Sequence, residues 1–153
     1  MIIIDESKID SNGYFCDNSY YVEERNRYEF KENVVITGDC IFKKSVYVAG
    51  NQRVEGDQLV AGDQMVEGYR IIRGYKLYRR GSITVNHIGS RSSNSIFYFT
   101  KNDGIYVKCG CFFGSITEFE KNVYETHNNN KYSKEYKATI DYVRSLYANI
   151  QDE

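Results

Sequence analysis

The chain has 153 residues and a formal charge of −1, with 15 tyrosines and neither proline nor tryptophan. That balance supplies no global field to draw nucleic acid or an anionic membrane, and no apolar run approaches the length of a membrane span. Residues 1–4 are too short for a signal peptide, so a cytoplasmic location is expected, and the irregularly spaced Cys16, Cys40, Cys109 and Cys111 read as reduced thiols.

Residues 1–27 lack any repeat. A short strand at 2–4, a turn at Ser11-Asn12-Gly13 and a second strand at 20–22 read as a cap, which the end of a repeat array needs to cover its unpaired backbone.

From Val34 to His87 the chain runs in six-residue units: VVITGD, CIFKKS, VYVAGN, QRVEGD, QLVAGD, QMVEGY, RIIRGY, KLYRRG, SITVNH. The third position is β-branched or aromatic throughout, and the fifth is glycine except at Lys44, Arg80 and Asn86. Strands this short cannot make hairpins, but a coil can stack each one on the next turn. Glycine gives the corner its backbone freedom, and the following Asp or Asn bonds corner backbone groups. Three six-residue edges close a triangle of eighteen residues per turn. YEFKEN, residues 28–33, fits the same frame, so residues 28–87 read as a short triangular hexapeptide-type parallel β-solenoid.

If position three faces in, position two faces out. At eighteen residues per turn, Ile41, Leu59 and Leu77 stack on one outer face and Tyr47, Met65 and Ile83 on another. Val35, Arg53 and Ile71 line the third. Two apolar outer faces predict self-association, with the C-terminal segment covering one of them. The last turn is basic. Arg70, Arg73, Tyr75, Arg79 and Arg80, with Arg91 beyond, form a candidate anion or partner site, because guanidinium both forks onto oxyanions and stacks on rings. Arg73 follows Glu55 by eighteen residues and is expected to pair with it.

Residues 88–153 change period. SIFYFT (95–100) and IYVKCGCFF (105–113) read as strands joined at Asn102-Asp103-Gly104, a hairpin signal. Thr117 three residues before Glu120 marks a helix start, running to about His127. A second helix spans about 132–150, with Tyr136, Ile140, Val143 and Tyr147 as its apolar stripe. This stripe needs a surface, and the outer face of the solenoid is the nearest. Cys109 and Cys111 sit on one face of a single strand in this reading, without the second pair a zinc site requires, so no metal and no cofactor are expected. His87 closes the last hexad, and triangular hexapeptide solenoids include acyltransferases that use a histidine as general base, but here a residue intervenes between the aliphatic position and glycine. His127 suits a helix C-terminus.

The V-x-G-D hexads followed by Gly110-Cys111-Phe112-Phe113-Gly114-Ser115-Ile116-Thr117-Glu118-Phe119 resemble small phage and prophage proteins of bacteria. The likeness covers roughly residues 46–147, and it carries over no catalytic residues. It implies a phage context and a bacterial host cytoplasm. The expectation is a non-enzymatic binding protein, self-associating, that antagonises a host component of antiviral defence by direct protein contact. Alternatives are a sponge for an anionic nucleotide signal, an acyltransferase, and a structural virion component.

Overall fold

Hexads whose first and third residues point inward give strands of three residues, which gain their ladder bonds from hexads eighteen residues away. The computed structural model describes residues 1–90 and 94–150, and the chain is mainly β with two helices at its C-terminal end. It divides into two compact units, Met1–Lys76 and Leu77–Glu153.

The first unit holds β1 (Ile2–Ile4), β2 (Tyr21–Val22), β3 (Arg27–Phe30), β4 (Val34–Ile36), β5 (Cys40–Phe42) and β6 (Ser45–Val48). Then come β7 (Gln52–Val54), β8 (Gln58–Val60), β9 (Gln64–Val66), β10 (Arg70–Ile72) and the start of β11 (Tyr75–Val85). Three parallel ladders result, each stepping by eighteen residues. Val34 pairs with Gln52 and Gln52 with Arg70; Cys40 pairs with Gln58; Tyr28 pairs with Val46 and Val46 with Gln64. Ile36, Phe42, Val48 and Val54 fill the interior at 1% exposure or less. Each such burial contributes about 1.5–3 kcal/mol. The interior is not uniform, however. Val34, Cys40 and Val46 make one apolar layer, and the next layer is Gln52, Gln58 and Gln64. Gln52 Nε2 donates to Gln64 Oε1 (2.9 Å) and accepts at Oε1 from Arg70 Nε (3.2 Å), while the buried Gln58 amide nitrogen finds no partner among the described residues.

The corners hold by a mechanism that sequence reading gets half right. At four corners the polar sixth residue of the hexad does bond backbone, but that of the residue eighteen positions on. Asn33, Asp39, Ser45 and Asn51 accept from the amides of Asn51, Asp57, Asp63 and Tyr69, at 2.8–3.0 Å. The glycines serve close approach instead of unusual dihedrals. None of Gly38, Gly50, Gly56, Gly62 and Gly68 has positive φ, yet a Cβ on Gly56 would lie 2.6 Å from the Gly38 carbonyl carbon.

Residues 1–30 do more than cap. β1 pairs in parallel with β4 (Ile2 to Val34), Tyr14 bridges Ile41, and β3 lies on β6, so each ladder receives a strand or bridge from this segment. Corner loops with 3-10 turns at Glu6–Lys8, Asn18–Tyr20 and Glu23–Arg25 lengthen the circuit and hide the hexad frame. Phe15 packs against Tyr28, Phe30 and Phe42 at ring-centroid distances of 5.1, 5.7 and 5.0 Å. Outside this cluster, Glu29 receives Arg25 and Arg27. The hydrogen bond from Arg25, then that from Arg27, hold its carboxyl well below the ordinary 4.5, at about 2. A carboxylate so lowered stabilises the fold fully above pH 4.5, and that contribution is lost as pH falls through about 2. Glu29→Gln is therefore expected to lower the urea midpoint at pH 7, with the gap to the parent closing steadily between pH 4.5 and 2. A gap independent of pH would show that the charge is not what matters.

The ladders stop earlier than the hexads do. Arg73 (φ 50°) and Gly74 (φ 88°) form a two-residue turn, and Ile72 pairs antiparallel with Tyr75. Two consecutive positive φ values are what a type I′ hairpin needs. KLYRRG and SITVNH thus become one eleven-residue strand, β11, instead of two more edges. The unit boundary falls at Lys76/Leu77 and not after residue 87.

In the second unit β11 continues from Leu77, followed by β12 (Ser95–Thr100), β13 (Ile105–Cys109), β14 (Phe112–Ser115), α1 (Ile116–His127) and α2 (Lys131–Ile150). The strands form an antiparallel meander in the order β11-β12-β13-β14. Gly110 (φ 60°) splits the single strand expected over 105–113 into two, which buries Cys109 and exposes Cys111 instead of aligning them. The helix starts at Ser115 and not Thr117. Ser115 accepts from the Glu118 amide (3.1 Å) in a reciprocal capping box. The Tyr136, Ile140, Val143 and Tyr147 stripe packs on Phe97, Phe99, Ile105 and Val107 of this unit's own sheet, so its surface is local. Tyr147 donates to the Thr100 carbonyl (2.6 Å), satisfying its buried hydroxyl.

Candidate docking groove

The helices present two different flanks. Asn128 (φ 54°) breaks α1, its amide bonding the Tyr124 carbonyl (2.7 Å), and Asn130 Oδ1 accepts from the amides of Tyr132 and Ser133, opening α2. The short connection folds the helices into a hairpin, locked further along by Arg144 to Glu120 (3.2 Å). Ile116 and Phe119 turn into the core. The opposite side of the hairpin leaves a mostly apolar groove of about 520 Å³, with Val123 and Ile140 as floor and Tyr124 as one wall. Tyr124 is 65% exposed, and Lys121, Lys134 and Lys137 stand on the rim. An apolar floor, an exposed tyrosine and three rim lysines are the makings of a protein contact.

A second cavity of about 400 Å³ lies on the other flank, over Phe112, Phe119 and Tyr136. His127 stacks on Tyr136 (5.9 Å between centroids), and its Nε2 lies 3.2 Å from Ser90 Oγ. Among the described residues nothing bonds the other ring nitrogen, so the pair lacks the orienting group that a nucleophilic serine needs. Its visible work is tethering. Gly89 N donates to Glu135 Oε1 (2.8 Å), Ile88 is buried, and Ser90 meets His127, which together strap residues 88–90 to the helical hairpin.

The basic residues singled out from the sequence are divided between the two units. Arg70 turns to Gln52, and Arg73 ion-pairs with Asp57 while Glu55 takes Arg53 (3.1 Å), so the expected Glu55 pairing does not form. Tyr75 opens β11 opposite Ile72. Arg79 and Arg80 lie exposed at the register irregularity between Leu77 and Ser82 in the other unit. Arg91 lies outside the described residues.

The outward apolar stacks are shorter than expected. Ile41 pairs with Leu59 (40% exposed) and Tyr47 with Met65 (54% exposed). The Arg27 guanidinium covers the Tyr47 ring at 4.6 Å. Leu77 is buried at 2% and paired with Thr100, and Ile83 packs on the C-terminal core, so neither extends an outer face. Their strand has left the ladders. His87 sits at φ 52° in the turn after β11.

No pattern within either helix alone marks the groove residues. The signal was present: Lys121 and Tyr124 on one helix and Lys134 and Lys137 on the other all lie off the apolar stripes. Among the described residues there is no cluster of three or more His, Cys, Asp or Glu able to hold a metal, and no helix long and apolar enough to cross a membrane. Comparison with family models, curated proteins and solved structures finds no match to this chain.

Proposed function

We propose that this chain is a non-enzymatic binding protein that acts by occupying another protein, with the α1–α2 groove as the contact. The observation that carries the reading is the apolar groove walled by an exposed Tyr124. The phage-like sequence signature favours a host defence component as target. In this reading the first unit is a short triangular hexapeptide-type β-solenoid, and the Ile41/Leu59 and Tyr47/Met65 pairs are where copies of the chain associate. The nucleotide-sponge reading draws less support, since Arg70 and Arg73 already bond Gln52 and Asp57.

The test is photocrosslinking in bacterial cells, with a benzophenone amino acid placed at Tyr124 and, as control, at Tyr142. Both are exposed, at 65% and 56%, but Tyr142 does not line the groove. The expected result is a discrete protein adduct from position 124 and none from 142. No adduct from 124, or equal adducts from both positions, removes the groove as the contact.

A further inference from the structure

The rim of the groove specifies the chemistry of what enters it. Lys121 and Lys137 have acidic neighbours one helical turn on, Glu125 at 4.0 Å and Asp141 at 3.2 Å. Those side chains are 57–75% exposed, and such pairs contribute little and exchange readily for better ones. Lys134 makes no ion pair with any described residue. The one acid lining the groove's helical wall, Glu120, is held by Arg144. Three ammonium groups therefore stand over an apolar floor formed by Val123 and Ile140, and Thr117 to Tyr124 gives about two helical turns of wall. A basic segment would meet like charge. An extended strand would find no open ladder on a helical wall, whereas a third helix can set a ridge between two others.

Resting on the docking reading above, we infer that the groove receives an acidic amphipathic helix of the partner protein. Its large apolar side chains enter between α1 and α2 beside Tyr124, and its carboxylates pair with Lys121, Lys134 and Lys137. This is the helix-in-groove mode of recognition, with anchors one turn apart.

Two synthetic helical peptides test it, sharing leucines on one face and carrying either glutamate or lysine at every other position. Binding to the full chain is read by fluorescence anisotropy and by amide chemical shifts. The glutamate peptide is expected to bind, to shift amides in α1 and the first half of α2, and to weaken as salt rises. Lys121→Glu, Lys134→Glu and Lys137→Glu together are expected to weaken it about a hundredfold, and Tyr124→Ala about tenfold. All four positions are exposed or rim residues, so an unchanged thermal melt certifies the variants. Equal binding of the two peptides, or shifts confined to other elements, overturns the inference. Saturation of the same amides by decanoate with no response to the glutamate peptide also overturns it, in favour of a lipid anion. If position 124 crosslinks a partner in cells while the glutamate peptide fails, the acidic helix falls and the docking reading stands. If both fail, both fall.

Discussion

Gly89→Ala lowers the stability of the second unit by about 3 kcal/mol, read as lost hydrogen-exchange protection in β12 and β13. Two costs add. Gly89 has φ +61°, a conformation that costs a residue with Cβ about 1–2 kcal/mol. The added methyl would also lie 2.1 Å from Cε2 of Tyr136. That ring is 3% exposed, meets Phe119 edge-on at 5.7 Å and stacks on His127, so yielding to the methyl disturbs both contacts. Overpacking a site of this kind costs a further 1–3 kcal/mol or so. The control is Gly104→Ala, where φ is +82° but nothing lies within 4 Å. Only the backbone cost, about 1–2 kcal/mol, is expected there. Equal losses at the two positions would mean that the Tyr136 contact contributes nothing.

Gly56→Ala costs the first unit about 2–3 kcal/mol, while Gly38→Ala at the same corner one circuit earlier is neutral within about 0.5 kcal/mol. The two glycines look identical in sequence, each at the fifth place of a V-x-x-x-G-D or similar hexad. They differ in what lies against them. A methyl on Gly56 would meet the Gly38 carbonyl carbon at 2.6 Å, its oxygen at 2.7 Å and Asp39 Oδ1 at 2.7 Å, whereas one on Gly38 meets nothing within 4 Å. Gly38 and Asp39 cannot step aside, because Asp39 Oδ1 holds the Asp57 amide. Thermal melts of the two variants decide it. A large loss at Gly38 would return the role of these glycines to backbone conformation.

The eighteen-residue step was legible because it is carried twice over, by the inward third residue and by the corner glycine. Its first and last members were not. Ile4 occupies the slot beside Ile36 as fully as any hexad residue, at 0% exposure, but long corner loops put it thirty-two residues away. At the other end, Leu77 and Ile83 keep the hexad's apolar places although their strand has reversed direction. The corner itself held the clue. After Gly74 stands Tyr75, which cannot bond the next circuit's amide as Asp39 or Asn51 does. The stripe of α2 is legible in its spacing, while its packing surface is not, because Phe97 and Phe99 alternate within a strand that is apolar on both faces. The groove escaped for a related reason. A contact surface shared by two helices has no period in either one.

Because the side chains of Asn33, Asp39, Ser45 and Asn51 each serve the amide eighteen residues ahead, the ladders have a built-in length quantum. Inserting or deleting eighteen residues returns every donor to an acceptor of the same kind. Inserting six shifts the register so that Asn51 Oδ1 would face a different edge and the reversal at Arg73-Gly74 would leave from another ladder. Length changes in these ladders are therefore indexed in steps of eighteen residues, and only whole steps are silent.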